Sequence, residues 1–209
     1  CVAVCEHGAH TIDETGHIYH RDICVRCGAC LPGCPTGALE QAGEETTVER
    51  ILEQVERDRM FYERSGGGVT LSGGEPLMQP EFTFAIMSLA RERGLHVALD
   101  TSGYASPEIA DRGFSLADLV LYDLKAIDEE DHRRLTGVSN RRILENLRRL
   151  LAAETGPPVW VRVPVIPGTN DKPGMMEATA AFCSEHWGNP RLEGIFLMPY
   201  HRLAESKYE

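Results

Sequence analysis

The chain has 209 residues, 42% of them hydrophobic, which suits one moderate domain or a domain with a small appendage. A net charge of −11 excludes general nucleic-acid binding, which needs a basic surface. No apolar run approaches the ~18 residues of a membrane helix, which argues against a membrane protein.

Six of the seven cysteines lie within residues 1–34. Cys24-x2-Cys27-x2-Cys30-x3-Cys34-Pro35 matches the bacterial ferredoxin run spacing for spacing. Three thiolates at that spacing wrap one 4Fe–4S cube, and the fourth reaches a neighbouring cube. Zinc sites prefer two separated pairs, and disulfides do not explain a run closed by a proline. Cys1-x3-Cys5 reads as the tail of an earlier copy of the run. By the crossing rule Cys5 joins Cys24, Cys27 and Cys30 on one cluster. Cys34 then joins Cys1 and two cysteines expected upstream of residue 1. Glu6 stands where the run usually has a proline. His7, His10, His17 and His20 read as solvated loop residues, with a ligand role the open alternative. The sequence begins at Cys1 without a methionine and ends at Glu209 without a stop signal of its own, so both ends read as cut.

From residue 44 the pattern changes to a βα succession. Thr46-x-x-Glu49 has the form of a capping box, opening a helix with Val48, Ile51, Leu52 and Val55 on one face. Val69-Thr70-Leu71 predicts a strand, and Ser72-Gly73-Gly74-Glu75-Pro76 follows it. The glycine pair lets backbone approach a ligand, Glu75 places a charge there, and Pro76 suits a helix start. A helix is expected over 80–93, stopped by Gly94, and a strand over 95–99 ends in Asp100-Thr101-Ser102-Gly103. A short helix after Pro107 leads to a strand over 119–124 that ends in Asp123-Leu124-Lys125. The helix over 141–153 carries Ile143, Leu144, Leu147, Leu150 and Leu151 on one side. Arg141, Arg142, Arg148 and Arg149 fall mostly on the other side, a solvated face by default. A strand over 159–165 contains Arg162. A helix over 175–187 follows, with Cys183, Met176 and Trp187 on one face, the thiol buried. The last strand, over 195–198, ends in Pro199-Tyr200-His201.

Five strands alternating with helices predict a parallel sheet with right-handed crossovers, and their apolar runs predict burial on both faces. Glu75, Asp100, Asp123, Lys125 and His201 all stand at strand C-terminal ends. In a parallel sheet those ends share one rim, where such folds keep their chemistry. Asp123 and Lys125 leave one strand on the same side and are able to pair with each other. Arg162, among valines, needs a carboxylate partner or an anionic ligand. Carboxylates for an ammonium and hydroxyls, with cations for a carboxylate, suit a zwitterionic ligand carrying a sugar; S-adenosylmethionine is one.

Gly73-Gly74-Glu75-Pro76, Asp100-Thr101-Ser102-Gly103, Asp123-Leu124-Lys125, the Arg162 strand with Val165-Ile166-Pro167-Gly168, and Pro199-Tyr200-His201 together resemble the radical S-adenosylmethionine activating enzymes of glycyl radical enzymes. The cysteine-rich front resembles the ferredoxin-type insert of many of them. The resemblance implies an α/β fold, a partial (β/α)6 barrel over 44–209, with a small α+β iron–sulfur insert over 1–43. It implies that Gly73, Gly74 and Glu75 bind the methionyl amine. Asp123, Lys125 and His201 contact the carboxylate and ribose side, and Arg162 faces the ligand or its radical product. Asp100 and Asp123, with the Thr101 backbone, hold a monovalent cation. Ser102 and Leu124 belong to the same cofactor-binding motifs. A reduced 4Fe–4S cluster cleaves S-adenosylmethionine to a 5′-deoxyadenosyl radical, which takes hydrogen from a glycine of the partner enzyme.

The family's Cys-x3-Cys-x2-Cys motif for that cluster is missing from the sequence and is expected upstream of residue 1, with the barrel's first strand. No catalytic residue is therefore assigned, and residues 1–209 alone are expected to be inactive. Two further clusters would sit in the insert on Cys1, Cys5, Cys24, Cys27, Cys30 and Cys34. A low-potential donor such as flavodoxin or ferredoxin, and an oxygen-poor, reducing cytoplasm, complete the expectation. A plain ferredoxin-type electron carrier accounts for the front but not the rim. A radical enzyme acting on another substrate accounts for both.

Overall fold

The computed structural model describes residues 1–41 and 43–200. It divides into two compact units, Cys1–Thr47 and the chain from Val48 onward.

The first unit is built from turns. A 3-10 turn at Val2–Val4 is followed by a two-stranded antiparallel hairpin, β1 (His10–Asp13) and β2 (Gly16–Tyr19). Asp13 makes the hairpin turn by accepting from the Thr15 amide at 2.7 Å and the Thr15 hydroxyl at 2.6 Å. Among the described residues of this unit only Ala9 and His10 are buried. His10 therefore departs from the expected solvated loop. The hairpin itself was not legible, because its eight strand residues, His-Thr-Ile-Asp and Gly-His-Ile-Tyr, form no apolar stripe.

The second unit holds α1 (Val48–Glu56), α2 (Arg59–Ser65), β3 (Gly68–Leu71), α3 (Pro80–Glu92), β4 (His96–Thr101), α4 (Pro107–Leu116) and β5 (Leu119–Asp123). It continues through α5 (Glu129–Thr136), α6 (Arg141–Ala152), β6 (Val159–Val165), α7 (Pro173–Glu185) and β7 (Leu192–Pro199). The five strands β3 to β7 form one parallel sheet in which each pairs with its predecessor in sequence. Val97, Leu99, Val120, Tyr122, Val159, Val161 and Val163 point from it into the core with Phe84, Met87, Phe114, Leu147 and Phe182 of the helices.

The strands are not uniformly buried. β5 and β6 alternate fully buried with half-buried positions, so only the helix-covered face is dry. On β6, Trp160 and Arg162 take the opposite face from the three valines. That alternation carries Arg162 to the inner side of the sheet. At the β3 edge Gly68 sits so close to β4 that a Cβ there would lie 1.9 Å from the His96 carbonyl oxygen.

Several local expectations differ from the structure. The Thr46 hydroxyl is buried without a hydrogen-bond partner, so the capping box does not form. Helices α2 and α5 were not predicted. Helix α7 ends at Glu185, and Trp187 beyond it is 76% exposed, while Cys183 is buried as expected. The arginines of α6 are engaged rather than free. Arg141 pairs with Glu129 at 2.7 Å and Arg149 with Asp111. Arg142 lies over the Tyr104 ring and Arg148 over Phe182.

Candidate functional site

Four adjacent parallel strands bring Ser72, Gly73, Gly74, Glu75, Asp100, Thr101, Ser102, Asp123, Lys125 and Arg162 around one polar cavity. Each arrives because its strand ends there: Asp100 and Thr101 close β4, Asp123 closes β5, and Arg162 lies opposite Asp123 in the β5–β6 register. The glycine turn and Glu75 follow β3. Leu124 is fully buried behind the cavity, its amide bonded to the Arg162 carbonyl at 2.9 Å. His201 lies outside the described residues.

Arg162 is the electrostatic centre. Its guanidinium donates to Asp123 from Nε at 3.0 Å and from Nη2 at 2.8 Å, and Nη2 also donates to Asp100. The carboxylate partner that Arg162 needs is thus a pair of aspartates. Burial pushes the Asp123 carboxyl above the usual carboxylate range, and the Arg162 charge opposes that push. The second oxygen of Asp100 accepts from the Ser72 hydroxyl at 2.8 Å.

Glu75 faces only donors. One carboxylate oxygen accepts from the Thr101 hydroxyl at 2.6 Å and the Leu77 amide at 3.2 Å. The other accepts from the Ser102 hydroxyl at 2.6 Å and the Ser102 amide at 2.9 Å. The carboxylate thereby ties the β3 exit to the β4 exit and caps the turn at Pro76–Met78. Sequence spacing placed Glu75 at the rim but carried no sign that Thr101 and Ser102 would take up its oxygens.

In the first unit, Cys5, Cys24, Cys27 and Cys30 line one small cavity, the four thiols that the crossing rule groups together. All six front cysteines are free thiols. The Cys5 sulfur accepts from the Ala9 amide at 3.3 Å, and the Cys24 sulfur from the Arg26 amide at 3.3 Å. Arg26 and Gly28 take left-handed backbone, φ 57° and 75°, which curls the run around the sulfurs. A Tyr19 hydrogen bond holds the Cys24 thiol below its ordinary range, and the Thr36 hydroxyl brings Cys34 down to about 7. Convergent soft ligands with amides aimed at sulfur fit an iron–sulfur cluster.

Residues 26–180 match the radical SAM superfamily and residues 1–38 match the 4Fe-4S dicluster domain. The isethionate sulfite-lyase activating enzyme of Nitratidesulfovibrio vulgaris is 45% identical over the whole chain, which covers 67% of that relative. The chain belongs to the radical SAM activating enzymes of glycyl radical enzymes. The choline trimethylamine-lyase activating enzyme of Oleidesulfovibrio alaskensis is 40% identical over 92% of the chain and 72% of that relative. A crystallised domain of pyruvate-formate lyase-activating enzyme from Bacteroides vulgatus superposes with a TM-score of 0.57 at 38% identity, covering 65% of this chain and 81% of that one. The chain spans about two thirds of the length of the curated activating enzymes it matches. Radical SAM chemistry, with iron–sulfur clusters and S-adenosylmethionine as cofactors, is accordingly the family's assignment for this fold. Among the described residues no helix is long and apolar enough to cross a membrane.

Proposed function

We propose that the rim cavity holds the methionyl end of S-adenosylmethionine and that the protein of which this chain is part activates a glycyl radical enzyme. The observation that carries the reading is the convergence of Gly73, Gly74, Asp100, Asp123, Lys125 and Arg162 on one polar cavity. The Gly73–Gly74 turn presents backbone carbonyls to the methionyl amine. Glu75, its oxygens already taken by Thr101, Ser102 and Leu77, fixes that turn rather than meeting the amine through a free lone pair. Asp123, Lys125 and His201 contact the carboxylate and ribose side of the ligand. Asp100, Asp123 and the Thr101 backbone also form the proposed seat of a monovalent cation, at the two carboxylates that Arg162 bridges.

When bound and reduced through a 4Fe–4S cluster, S-adenosylmethionine would supply the radical that takes hydrogen from a glycine. The chain's own residues orient the ligand and keep its charges paired. Cys5, Cys24, Cys27 and Cys30 would hold one insert cluster, and Cys1 and Cys34 would contribute to a second; such clusters would supply a path for electrons from a flavodoxin- or ferredoxin-like donor. A reducing, oxygen-poor cytoplasm suits free thiols and such clusters.

The test uses the full-length protein, reconstituted anaerobically. Reductant and S-adenosylmethionine are added, 5′-deoxyadenosine is quantified, and glycyl radical is sought by EPR in candidate partners. Isethionate sulfite-lyase comes first, then choline trimethylamine-lyase and trans-4-hydroxy-L-proline dehydratase. Product with radical in one partner supports the reading and selects the substrate. No 5′-deoxyadenosine from fully iron-loaded protein overturns it in favour of an electron carrier. Product without a radical in any partner favours another substrate.

A further inference from the structure

At the rim, β5 and β6 stop pairing beside a proline. The Arg162 carbonyl accepts from the Leu124 amide at 2.9 Å, so β6 turns that edge of Arg162 toward β5. Alternation along the strand gives Pro164 the same direction, and a proline has no N–H with which to continue the ladder. β5 itself ends at Asp123. The carbonyls of Lys125, Ala126 and Ile127 are thus left beyond the sheet without a strand partner, and such groups must be paired elsewhere.

Two asparagines distant in sequence take up all three. Asn170 Nδ2 donates to the Pro164 carbonyl at 2.7 Å and to the Lys125 carbonyl at 3.3 Å, and Asn170 Oδ1 accepts from the Ile166 amide at 2.7 Å. Asn140 Nδ2 donates to the Ala126 carbonyl at 3.1 Å and to the Ile127 carbonyl at 2.6 Å. Both asparagines are buried, Asn170 at 4% and Asn140 at 2% exposed. A carboxamide brings two N–H donors and an acceptor on a short, uncharged stem, and Asn170 uses all three. Asn140 stands at the N-cap of α6, where an asparagine ordinarily caps its own helix, yet its side chain makes no cap bond there. Its amide is turned to residues 126 and 127 instead.

We propose that Asn170 and Asn140 are positioning residues for S-adenosylmethionine: they fix the backbone of residues 125–127 and so the point from which Lys125 reaches the rim cavity. Lys125 lines that cavity with an exposed side chain, so its placement depends on where its backbone is held. Its flexible stem loses rotamer freedom when the ammonium meets a ligand. A fixed root keeps backbone ordering from being added to that loss. The inference deepens the reading of the rim cavity and rests on it, since it requires Lys125 to touch the ligand.

The test is equilibrium dialysis of S-adenosylmethionine against the full-length, iron-reconstituted protein, with a melting temperature for every variant. Lys125→Ala is expected to raise Kd about tenfold, and Asn170→Ala and Asn140→Ala roughly fivefold each. In a Lys125→Ala background either asparagine change is expected to add about twofold or less, because the side chain it positions is gone. A merely structural asparagine would instead lower binding by the same factor in both backgrounds, and that result would overturn the positioning role. Wild-type Kd in both asparagine variants would also overturn it. Lys125→Ala binding as tightly as wild type would refute the reading of the cavity itself, a failure distinct from additive asparagine effects on a weakened Lys125→Ala protein. If neither asparagine variant folds, hydrogen exchange of the unaltered protein decides. Equal protection of residues 125–127 with and without S-adenosylmethionine supports a pre-set segment, and protection that arises only with the ligand refutes it.

Discussion

Glu75 shows how one side chain can hold a turn by being short of lone pairs rather than of donors. Each oxygen accepts from one hydroxyl and one backbone N–H, so an amide in its place must aim its NH2 at a backbone N–H, which cannot accept, whichever way it is turned. Glu75→Gln is therefore expected to cost about 2 kcal/mol of stability, from weakened charge-assisted bonds and a donor facing donors. It is also expected to weaken S-adenosylmethionine binding. Denaturant unfolding and equilibrium dialysis on the same preparation check both, and wild-type stability with wild-type binding would contradict the buttress. Gly103 poses a steric question instead. It has φ 71°, and a Cβ there would fall 1.9 Å from the Tyr122 hydroxyl oxygen, itself bonded to the Ile143 carbonyl at 2.6 Å. Gly103→Ala should abolish soluble expression or cost several kcal/mol. Adding Tyr122→Phe should not rescue it, since the ring carbon Cζ is itself only 2.5 Å from the added methyl. Recovery of a wild-type melting temperature by the double variant would show that the hydroxyl alone was the obstacle.

Between elements the decisive contact is the triad Asp100–Arg162–Asp123, which joins β4, β5 and β6 through one guanidinium. Its members are only 17–27% exposed, so removing the cation leaves two carboxylates facing each other with little solvent. Arg162→Ala is expected to destabilise the protein by about 2–3 kcal/mol and to reduce ligand binding at the rim. Arg162→Lys should recover only part of this, because one ammonium cannot reproduce the forked geometry on two carboxylates. Thermal unfolding of the three proteins measures the effect; equal stability of Arg162→Ala and wild type would mean the carboxylates find another counter-ion.

The sequence made Asp100, Asp123 and Arg162 visible as polar residues at or near strand ends, because five apolar strands alternating with helices leave few other topologies. It could not say that the guanidinium would take both aspartates, which depends on register between strands whose paired residues lie 39 and 62 positions apart. It also hid α5. That helix has an Asp128 cap and a Gly137 stop, but an all-polar first turn and His132 as its single buried residue left no stripe to detect. His10 escaped for a similar reason: its burial comes from two neighbours across a hairpin, and nothing in a histidine-rich stretch distinguishes the covered ring from the wet ones.

As a whole the molecule combines a unit with a core and a unit nearly without one. Two buried residues among those described cannot hold together a segment of 47 residues. Units of this size depend on bound metal or disulfides, and these cysteines are free thiols. Stripping iron with a chelator under anaerobic conditions is expected to make residues 1–47 susceptible to limited proteolysis. The sheet unit should keep its helical circular dichroism, because its buried cluster contains Cys183 but none of the front cysteines. Loss of both signals together would show that the sheet depends on the clusters too. The strictly sequential strand order has a further consequence, for synthesis on the ribosome. Each new strand pairs with the one just made, so β3 to β7 can assemble in order of emergence with no strand waiting for a distant partner. The two aspartates emerge before the arginine that bridges them. Growth up to β5 therefore yields a sheet with unneutralised carboxylates on its rim, and arrival of β6 acts as a late latch on the nascent chain.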